Sequence, residues 1–339
     1  MRLGRPVGTR RTGPQRSRVS SCVASRRHGG LERHVVSPLL IIAGPTGVGK
    51  SSLAHEVAGI VGAEILSADS RQVYRGMTIG TAKASDDERE QHPYHLVDIL
   101  DPGVRWSAGR FLGAAQKAIA DIEQRQHPVV VAGGSTLYVH ALLEGLADLP
   151  AVSPSLEAQL LAEVAQPDGA ERLYEELRTA DPVAADTLDP SKTHRLIRFV
   201  GLWRETGRRP STAWEGVAPP HPAILVVLTR PRDELYRRID ARVLDMIEVG
   251  LVDEVQSILE ASPHARPTLE ATIGYRELLP VLDGERHLAE AIRLIQRNSR
   301  RYAKRQLTWY RRYPEARWVD ASATTAASLL ADLAPWPAG

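Results

Sequence analysis

The chain has 339 residues, with 43 Lys and Arg against 41 Asp and Glu, and a single cysteine, Cys22. One cysteine excludes an intramolecular disulfide and any cysteine-rich zinc or iron–sulfur site. The longest apolar runs are far shorter than the roughly 18 residues that a membrane helix needs. We therefore expect a soluble, cytoplasmic protein without a membrane partner.

The basic residues are concentrated at the start of the chain. Residues 1–34 hold nine arginines and one acid, Glu32, so the rest of the chain has an excess of acidic groups. The small net charge is therefore poor evidence for or against nucleic-acid binding. Because residues 1–36 show no hydrophobic periodicity, they are predicted to form a disordered, Arg-rich tail.

From residue 37 onward, short apolar runs alternate with segments of helical periodicity. This alternation predicts an α/β fold with a parallel sheet that is covered on both faces. Strands are predicted over Leu39–Ala43, Ala63–Ser67, Pro128–Ala132 and His221–Leu228, and helices over Ser52–Val61, Ala108–Gln124, Ser135–Leu143 and Asp233–Gly250.

The stretch over residues 147–218 is different, because its patterns are helical and no strand is apparent. Helices are predicted over Ser155–Ala165, Ala170–Ala180 and His194–Glu205. We interpret 147–218 as a helical insertion domain between two halves of the core, 37–146 and 219–325. The chain is predicted to be helical again between about 268 and 309, and 326–339 is assigned as a C-terminal tail.

A glycine-rich turn follows the first predicted strand and opens the first predicted helix. It matches the phosphate-binding pattern G-x-x-x-x-G-K-[ST]. The residues are Gly44, Pro45, Thr46, Gly47, Val48, Gly49, Lys50 and Ser51. Glycines let backbone amides turn toward phosphate oxygens, Lys50 adds a positive charge, and the Ser51 hydroxyl is a candidate Mg²⁺ ligand. The motif predicts a diphosphate or polyphosphate ligand, which need not be ATP.

The other strand ends help to choose between P-loop classes. Pro128–Ala132 runs into Gly133 and Gly134 rather than into an acid, which argues against a motor ATPase. The second strand does end near an acid, Asp69, so a small-molecule kinase remains an alternative.

Five further motifs accompany the phosphate loop. They are Asp69-Ser-x-Gln-Val-Tyr-x-Gly-Met-x-Ile-Gly-Thr-Ala-Lys83, His95-Leu-Val-Asp-Ile-Leu-Asp-Pro102, Gly133-Gly-Ser-x-Leu-Tyr138, Gly274-Tyr-Arg276 and Lys304-Arg-Gln-x-Thr-Trp309. With this set the chain resembles the tRNA dimethylallyltransferases of the IPP transferase family, over residues 39 to about 320. The resemblance implies a P-loop NTPase-like parallel-sheet core with a helical insertion domain.

The resemblance also implies a reaction. A dimethylallyl group would pass from dimethylallyl diphosphate, with Mg²⁺, to N6 of the adenosine 3′-adjacent to the anticodon (position 37) in tRNAs that read codons beginning with U. By position in the motifs, Asp69 would take the amine proton, Thr46 would contact the donor and Arg242 would contact its diphosphate. From the residues alone, Asp69 could instead cap a turn, and Arg242 could be an ordinary surface residue of a charged helix.

Residues 293–312 contain eight basic residues and no acid. Five of them fall on one helical face, edged by Trp309, Tyr310 and Tyr313, a pattern typical of RNA binding, although a solvated Arg-rich face would look the same. The basic residues on that face are Arg293, Arg297, Arg301, Lys304 and Arg305.

We expect a monomer that binds the tRNA anticodon loop. The family pattern implies tRNA contacts in five segments. They are Asp69, Ser70, Arg71 and Gln72; Ser135; His194, Arg195, Leu196, Ile197 and Arg198; Gly274, Tyr275 and Arg276; and Lys304, Arg305, Gln306, Leu307, Thr308, Trp309, Tyr310 and Arg311. The chain departs from the commoner family residues at Thr78, Ser135, Gly201 and Ala271.

Three other functions compete with tRNA prenylation. A P-loop kinase would not need the Arg- and Trp-bearing C-terminal part. An adenylate isopentenyltransferase, acting on a free nucleotide, would not need the insertion or the basic helical face. A non-enzymatic RNA-binding module would leave Lys50 and Asp69 without a role.

Overall fold

The computed structural model describes residues 37–146, 152–189, 192–214 and 221–337. The Arg-rich segment predicted for 1–36 lies outside the described residues. Six parallel strands form one sheet in the order β3-β2-β4-β1-β5-β6, which confirms the predicted α/β class. Their bounds are β1 Leu39–Ala43, β2 Glu64–Ser67, β3 Tyr94–His95, β4 Val129–Gly133, β5 Ala223–Thr229 and β6 Arg317–Asp320.

Helices lie on both sides of the sheet and in the insertion. The core helices are α1 Lys50–Val61, α2 Asp86–Gln91, α3 Ala108–Gln124, α4 Thr136–Glu144, α9 Arg232–Glu248, α10 Leu251–Ala261, α11 Arg266–Glu270, α12 Tyr275–Leu282, α13 Leu288–Tyr310 and α14 Ala326–Leu333. The insertion helices are α5 Pro154–Val164, α6 Gly169–Ala180, α7 Pro182–Asp186 and α8 Thr193–Thr206. None of the described helices is both long and apolar enough to span a bilayer.

The buried, central position of β1 in the sheet explains why its sequence is a continuous apolar run. All five of its residues are buried, and alternate side chains enter two different cores. Ile41 packs with residues of α3 such as Phe111, while Ile42 packs with residues of α1 and α9 such as Val57 and Ile239. A central strand of this kind positions its carboxyl end, and therefore the loop that follows it, rigidly.

The insertion helices have an apolar core of their own. Leu160, Leu173, Leu196 and Phe199 are buried there, away from the two sheet-facing cores. Among the described residues, an ion pair links the insertion to the core: the Arg105 guanidinium makes two hydrogen bonds, of 2.7 and 2.9 Å, to the Glu157 carboxylate.

The assignment of 326–339 as a tail is wrong for its described part, residues 326–337. Ala326, Leu329 and Leu333 of α14 are buried in the same core as α1, and the Trp336 indole N–H donates to the Pro38 carbonyl at 2.6 Å. The helix is only eight residues long, too short for its periodicity to be distinctive. The edge strands β3 and β6 were also not predicted, because their residues are few and partly exposed.

Candidate active site

A cavity of about 280 Å³ opens at the carboxyl ends of β1, β2 and β4. Three loops form its polar wall: the phosphate loop 44–51, the loop 69–83 after β2, and the loop 133–135 after β4. Helices α9 and α13 close it from the C-terminal half of the chain, with apolar side chains that include Ile239, Val243, Met246 and Ile295. The carboxyl ends of neighbouring parallel strands are the usual place for a ligand in an open α/β sheet.

The phosphate loop has the backbone conformation that its glycines allow. Gly47 and Gly49 have positive φ values of 78° and 108°. A Cβ on Gly47 would lie 2.9 Å from Ile239, so glycine is also needed for the close approach of α9. Arginines hold two loop carbonyls from outside: Arg238 donates to Gly47 and Arg230 to Val48, at 3.0 and 2.9 Å. The loop thus enters α1 with the helix's amide end facing the cavity.

Two cations in the cavity form no salt bridge with any described residue. The Lys50 ammonium donates to the Pro45 carbonyl at 2.8 Å, and Arg242 forms no hydrogen bond or salt bridge within the described residues. Burial and, to a smaller extent, the nearby charge of Arg242 lower the pKa of Lys50 to about 8, against the opposing effect of Asp69. Burial also lowers the pKa of Arg242. A bound anion would relieve both effects, so this end of the cavity favours one.

Asp69 is the acid of the cavity, and it has two roles. Its Oδ1 accepts hydrogen bonds from the amides of Arg71 and Gln72 at 2.8 and 3.4 Å, so it does cap the turn after β2. Its Oδ2 accepts no hydrogen bond from any described residue. The cap fixes the carboxylate while one oxygen is left for a ligand.

Side chains on either side of the cavity anchor the loop 69–83. The Ser135 hydroxyl accepts from the Ser70 amide at 2.8 Å, and the Gln72 amide group donates to the carbonyls of Thr81 and Ala82 at 3.2 Å. Lys83, at the end of the motif, is buried and donates to the Tyr74 carbonyl. The predicted contact of Ser135 is therefore, in this structure, a contact within the protein.

Glu254 of α10 is a site residue that the sequence did not reveal. Its carboxylate accepts from the amides of Thr78, Ile79 and Gly80 at 2.9, 2.7 and 3.2 Å and from the Tyr275 hydroxyl at 2.6 Å. A single acid in an amphipathic helix gives no local signal of such a role. It fixes the loop that begins at Asp69 to the helices behind it.

Comparison with known proteins shows the family. A family model described as IPP transferase matches residues 72–313. The chain belongs to the IPP transferase family. The tRNA dimethylallyltransferase of Thermomicrobium roseum is 46% identical over 285 residues, which cover 84% of this chain and 86% of that protein. That of Geobacter metallireducens is 44% identical and covers 83% and 92%.

Solved structures agree with this assignment. The tRNA delta(2)-isopentenylpyrophosphate transferase of Staphylococcus epidermidis is similar with a TM-score of 0.63 and 34% identity, covering 87% of this chain and 97% of that one. A eukaryotic dimethylallyltransferase acting on tRNA is similar with a TM-score of 0.72 and 29% identity, covering 84% and 74%. The expected P-loop NTPase-like fold is confirmed by these members of the family.

Most of the residues that the family pattern assigns to tRNA fall into three groups here. One group lines the cavity: Asp69, Ser70, Arg71, Gln72, Ser135, Gly274 and Gln306. A second is exposed: His194, Arg195, Lys304, Arg305, Thr308 and Arg311. A third has side chains that are buried, so that they cannot touch RNA in this conformation: Leu196, Ile197, Tyr275 and Tyr310. Leu307 is half-buried against the core beside α1, while Arg276 and Arg198 are partly exposed.

The outer face of α13, here called the basic face, consists of Arg293, Arg297, Arg301, Lys304 and Arg305, all exposed as predicted. Of the three aromatic residues expected at its edge, Tyr310 and Tyr313 are buried in the core with α3, and only Trp309 lies partly at the surface. The Arg312 guanidinium stacks on its ring, 3.5 Å from the centroid. The basic face therefore ends in one aromatic platform.

The departures from the family residues have local explanations at two positions. A Cβ on Gly201 of α8 would lie 2.8 Å from Val152 and 3.2 Å from Leu160, so this chain packs the insertion too tightly for a larger residue there. The Ala271 carbonyl accepts from Arg71 at 3.0 Å, a contact that any residue could provide. Thr78 gives its amide to Glu254, so its side chain is not needed for that contact either.

Proposed function

We propose that this protein transfers a dimethylallyl group from dimethylallyl diphosphate to N6 of adenosine 37 in tRNAs that read codons beginning with U. The observation that carries the proposal is the content of one cavity: two cations without a salt bridge among the described residues, Lys50 and Arg242, near a carboxylate, Asp69, that has one oxygen left for a ligand. The acceptor is supported by its relatives, which include tRNA dimethylallyltransferases and a eukaryotic dimethylallyltransferase acting on tRNA.

The donor fits the phosphate-loop end of the cavity. Cleavage of an allylic C–O bond builds negative charge on the departing diphosphate, and Lys50, Arg242 and the amide end of α1 are arranged to receive that charge. The Thr46 hydroxyl lies beside them in the cavity wall. The apolar side chains of α9 supply a surface for the five-carbon group.

The site fits a Mg²⁺ ion whose ligands come mainly from the substrate's phosphates and from water. Ser51 lines the cavity at the start of α1 and would supply a hydroxyl ligand. No cluster of three His, Cys, Asp or Glu that could hold a metal occurs among the described residues, which suits Mg²⁺ bound through phosphates and water. When bound, the ion would neutralise charge on the diphosphate.

The acceptor amine fits Asp69. An exocyclic adenine nitrogen is a poor nucleophile, because its lone pair is delocalised into the ring. A carboxylate oxygen that accepts from N6–H and takes the proton as the C–N bond forms corrects this. The target base must leave the anticodon stack to enter the cavity, at a cost of a few kcal/mol. Contacts between RNA phosphates and the basic face of α13 would help to offset that cost.

The test mixes the protein with Mg²⁺, labelled dimethylallyl diphosphate and unmodified tRNA, with AMP and ATP in parallel. We expect label in tRNA, recovered after digestion as N6-dimethylallyladenosine. Label in AMP but not in tRNA would indicate an adenylate isopentenyltransferase. Phosphoryl transfer from ATP to an acceptor would indicate a kinase. Either result would overturn the proposal.

A further inference from the structure

Gln306 lies where the family pattern implies an RNA contact, but its side chain points the other way. It is 2% exposed and sits on the inner side of α13, against the loops at the end of the sheet. Its Oε1 accepts from the Thr46 amide at 3.0 Å, and its Nε2 donates to the Gly134 carbonyl at 2.7 Å. One amide group thus bridges the phosphate loop and the loop after β4.

Both partners are backbone groups, and they need opposite chemistry. One bond requires an acceptor and the other a donor, in a fixed orientation. A primary amide provides both on one carbon, whereas an ionised carboxylate only accepts and a lysine only donates. The bridge therefore specifies glutamine by its chemistry and by its length.

The space around the bridge is shaped for it. A Cβ on Gly134 would lie 2.4 Å from Gln306 Nε2, so the absence of a side chain at 134 makes room for the amide. The same point lies 3.4 Å from the Gly44 carbonyl oxygen and 3.6 Å from Lys50 Nζ. The amide is therefore next to the first residue of the phosphate loop and its lysine.

The bridge also determines which groups of the phosphate loop are free to bind a ligand. Because the Thr46 amide already donates to Gln306, it is not free to bind a phosphate oxygen. Lys50 is held close to Thr46, because its ammonium donates to the carbonyl of Pro45, the residue before Thr46. Anion contacts then fall on the later amides of the loop, on Lys50 and on the Thr46 hydroxyl.

We propose that Gln306 is a positioning residue for the diphosphate donor and does not read RNA. It holds Thr46 and the start of the phosphate loop in register with Lys50, from the same helix whose outer side carries the basic face. This inference rests on the proposed function for the identity of the donor. The bridge itself does not depend on which phosphate compound binds.

The experiment uses the full chain and three variants: Gln306→Ala, Gln306→Glu and the control Gln296→Ala. Gln296 is a second glutamine of α13, and it donates to the Asp240 carbonyl at 3.1 Å, outside the cavity. Binding of inorganic diphosphate with Mg²⁺ is measured by titration calorimetry, and binding of unmodified tRNA by filter retention. KM for dimethylallyl diphosphate and kcat are measured separately.

We expect Gln306→Ala to raise both the Kd for diphosphate and the KM for the donor about tenfold, the effect of losing a buried hydrogen bond at the loop. Its Kd for tRNA should stay within about twofold of wild type, since the change leaves the exposed charges of α13 in place. Gln306→Glu should weaken diphosphate binding further, because it loses the donor to Gly134 and adds a negative charge beside the anion. Gln296→Ala should match wild type in both assays.

An unchanged diphosphate Kd together with a loss of tRNA affinity in Gln306→Ala would overturn the inference, since Gln306 would then read RNA. If the alanine variant does not fold, as judged by circular dichroism, the nearly isosteric Gln306→Glu decides by the same readouts. Failure of the proposed function looks different. Wild type would then not prenylate tRNA, while Gln306→Ala would still lose affinity for inorganic diphosphate.

Discussion

On the inner side of α13, Gln306 and Tyr310 are buried against the sheet, whereas on the outer side Arg301, Lys304 and Arg305 project into solvent. The inner contacts of Gln306 are buried hydrogen bonds, and salt screens buried interactions only weakly. The outer charges act across water and lose strength within a Debye length of about 8 Å at physiological ionic strength. One helix thus serves two regions: the cavity, which sets the chemistry, and the basic face, which contributes to affinity for a polyanion.

Among the changes that separate the cavity from the basic face, the largest effect is expected at Asp69. Replacing Asp69 with Ala should lower kcat about 10³-fold, the usual contribution of a positioned general base. Donor binding should change little, because Lys50 and the loop amides remain. Rapid-quench turnover of labelled donor with tRNA measures the first effect, and calorimetry with the donor measures the second. A variant that keeps more than a tenth of wild-type kcat would show that Asp69 only caps its turn.

Glu254 tests whether the cavity depends on anchors outside it. Glu254→Ala leaves three loop amides and the Tyr275 hydroxyl without their acceptor, which should cost about 2 kcal/mol of unfolding free energy. It should also lower kcat/KM, since the loop begins at Asp69. Urea denaturation and steady-state kinetics measure the two effects. The control is Glu260→Ala on the same helix, whose exposed carboxylate accepts a hydrogen bond from Gln256 and should be worth less than about 0.5 kcal/mol.

The lowered pKa of Lys50 gives the cavity a pH dependence. With a pKa of about 8 in the free protein, Lys50 is mostly protonated below pH 8 and loses its charge above it. Affinity for dimethylallyl diphosphate should therefore fall above pH 8, by up to about tenfold per unit once the lysine is neutral. Lys50→Arg should remove this fall. A donor Kd that is flat between pH 7 and 9.5 in wild type would contradict the lowered pKa.

The smallest effect is expected on the basic face. Arg301→Ala should weaken tRNA binding only a few-fold and reduce the slope of log K against log salt concentration by about one. Donor KM at saturating tRNA should not change. Filter binding over a salt series measures the slope, and an unaltered slope would show that Arg301 is merely solvated.

The sequence predicted those elements whose conformation is determined by residues close together in the chain. β1, β4 and β5 were found because each contains a continuous apolar run, and the phosphate loop because its glycines have a fixed spacing. β2 was predicted as a short strand over Ala63–Ser67. β3 and β6 were missed because they are short and partly exposed, and α14 because eight residues are too few for a distinctive periodicity. The positions of the site residues relative to one another followed from the sheet, whereas Glu254 gave no local signal.

The face of α13 that each residue occupies could have been predicted more fully. Ala291, Ile295, Ala303, Gln306 and Tyr310 share one helical side, so the periodicity already places Gln306 inward. A contiguous motif from 304 to 311 hides this, because successive residues of a helix point about 100° apart and the motif therefore covers all sides of α13. What the periodicity could not supply is the partner, the Thr46 amide 260 positions earlier.

The hydrogen bond between Trp336 and Pro38 brings the last described turn of the chain beside the entry to its first strand. A chain that ends soon after β6, close to where the family model stops matching, would lose this hydrogen bond. It would also lose Leu329 and Leu333, which cover the apolar side chains of α1. The exposed apolar strip would then favour aggregation, although every motif of the site was still encoded. Expression of the catalytic region therefore calls for a chain that extends through Trp336.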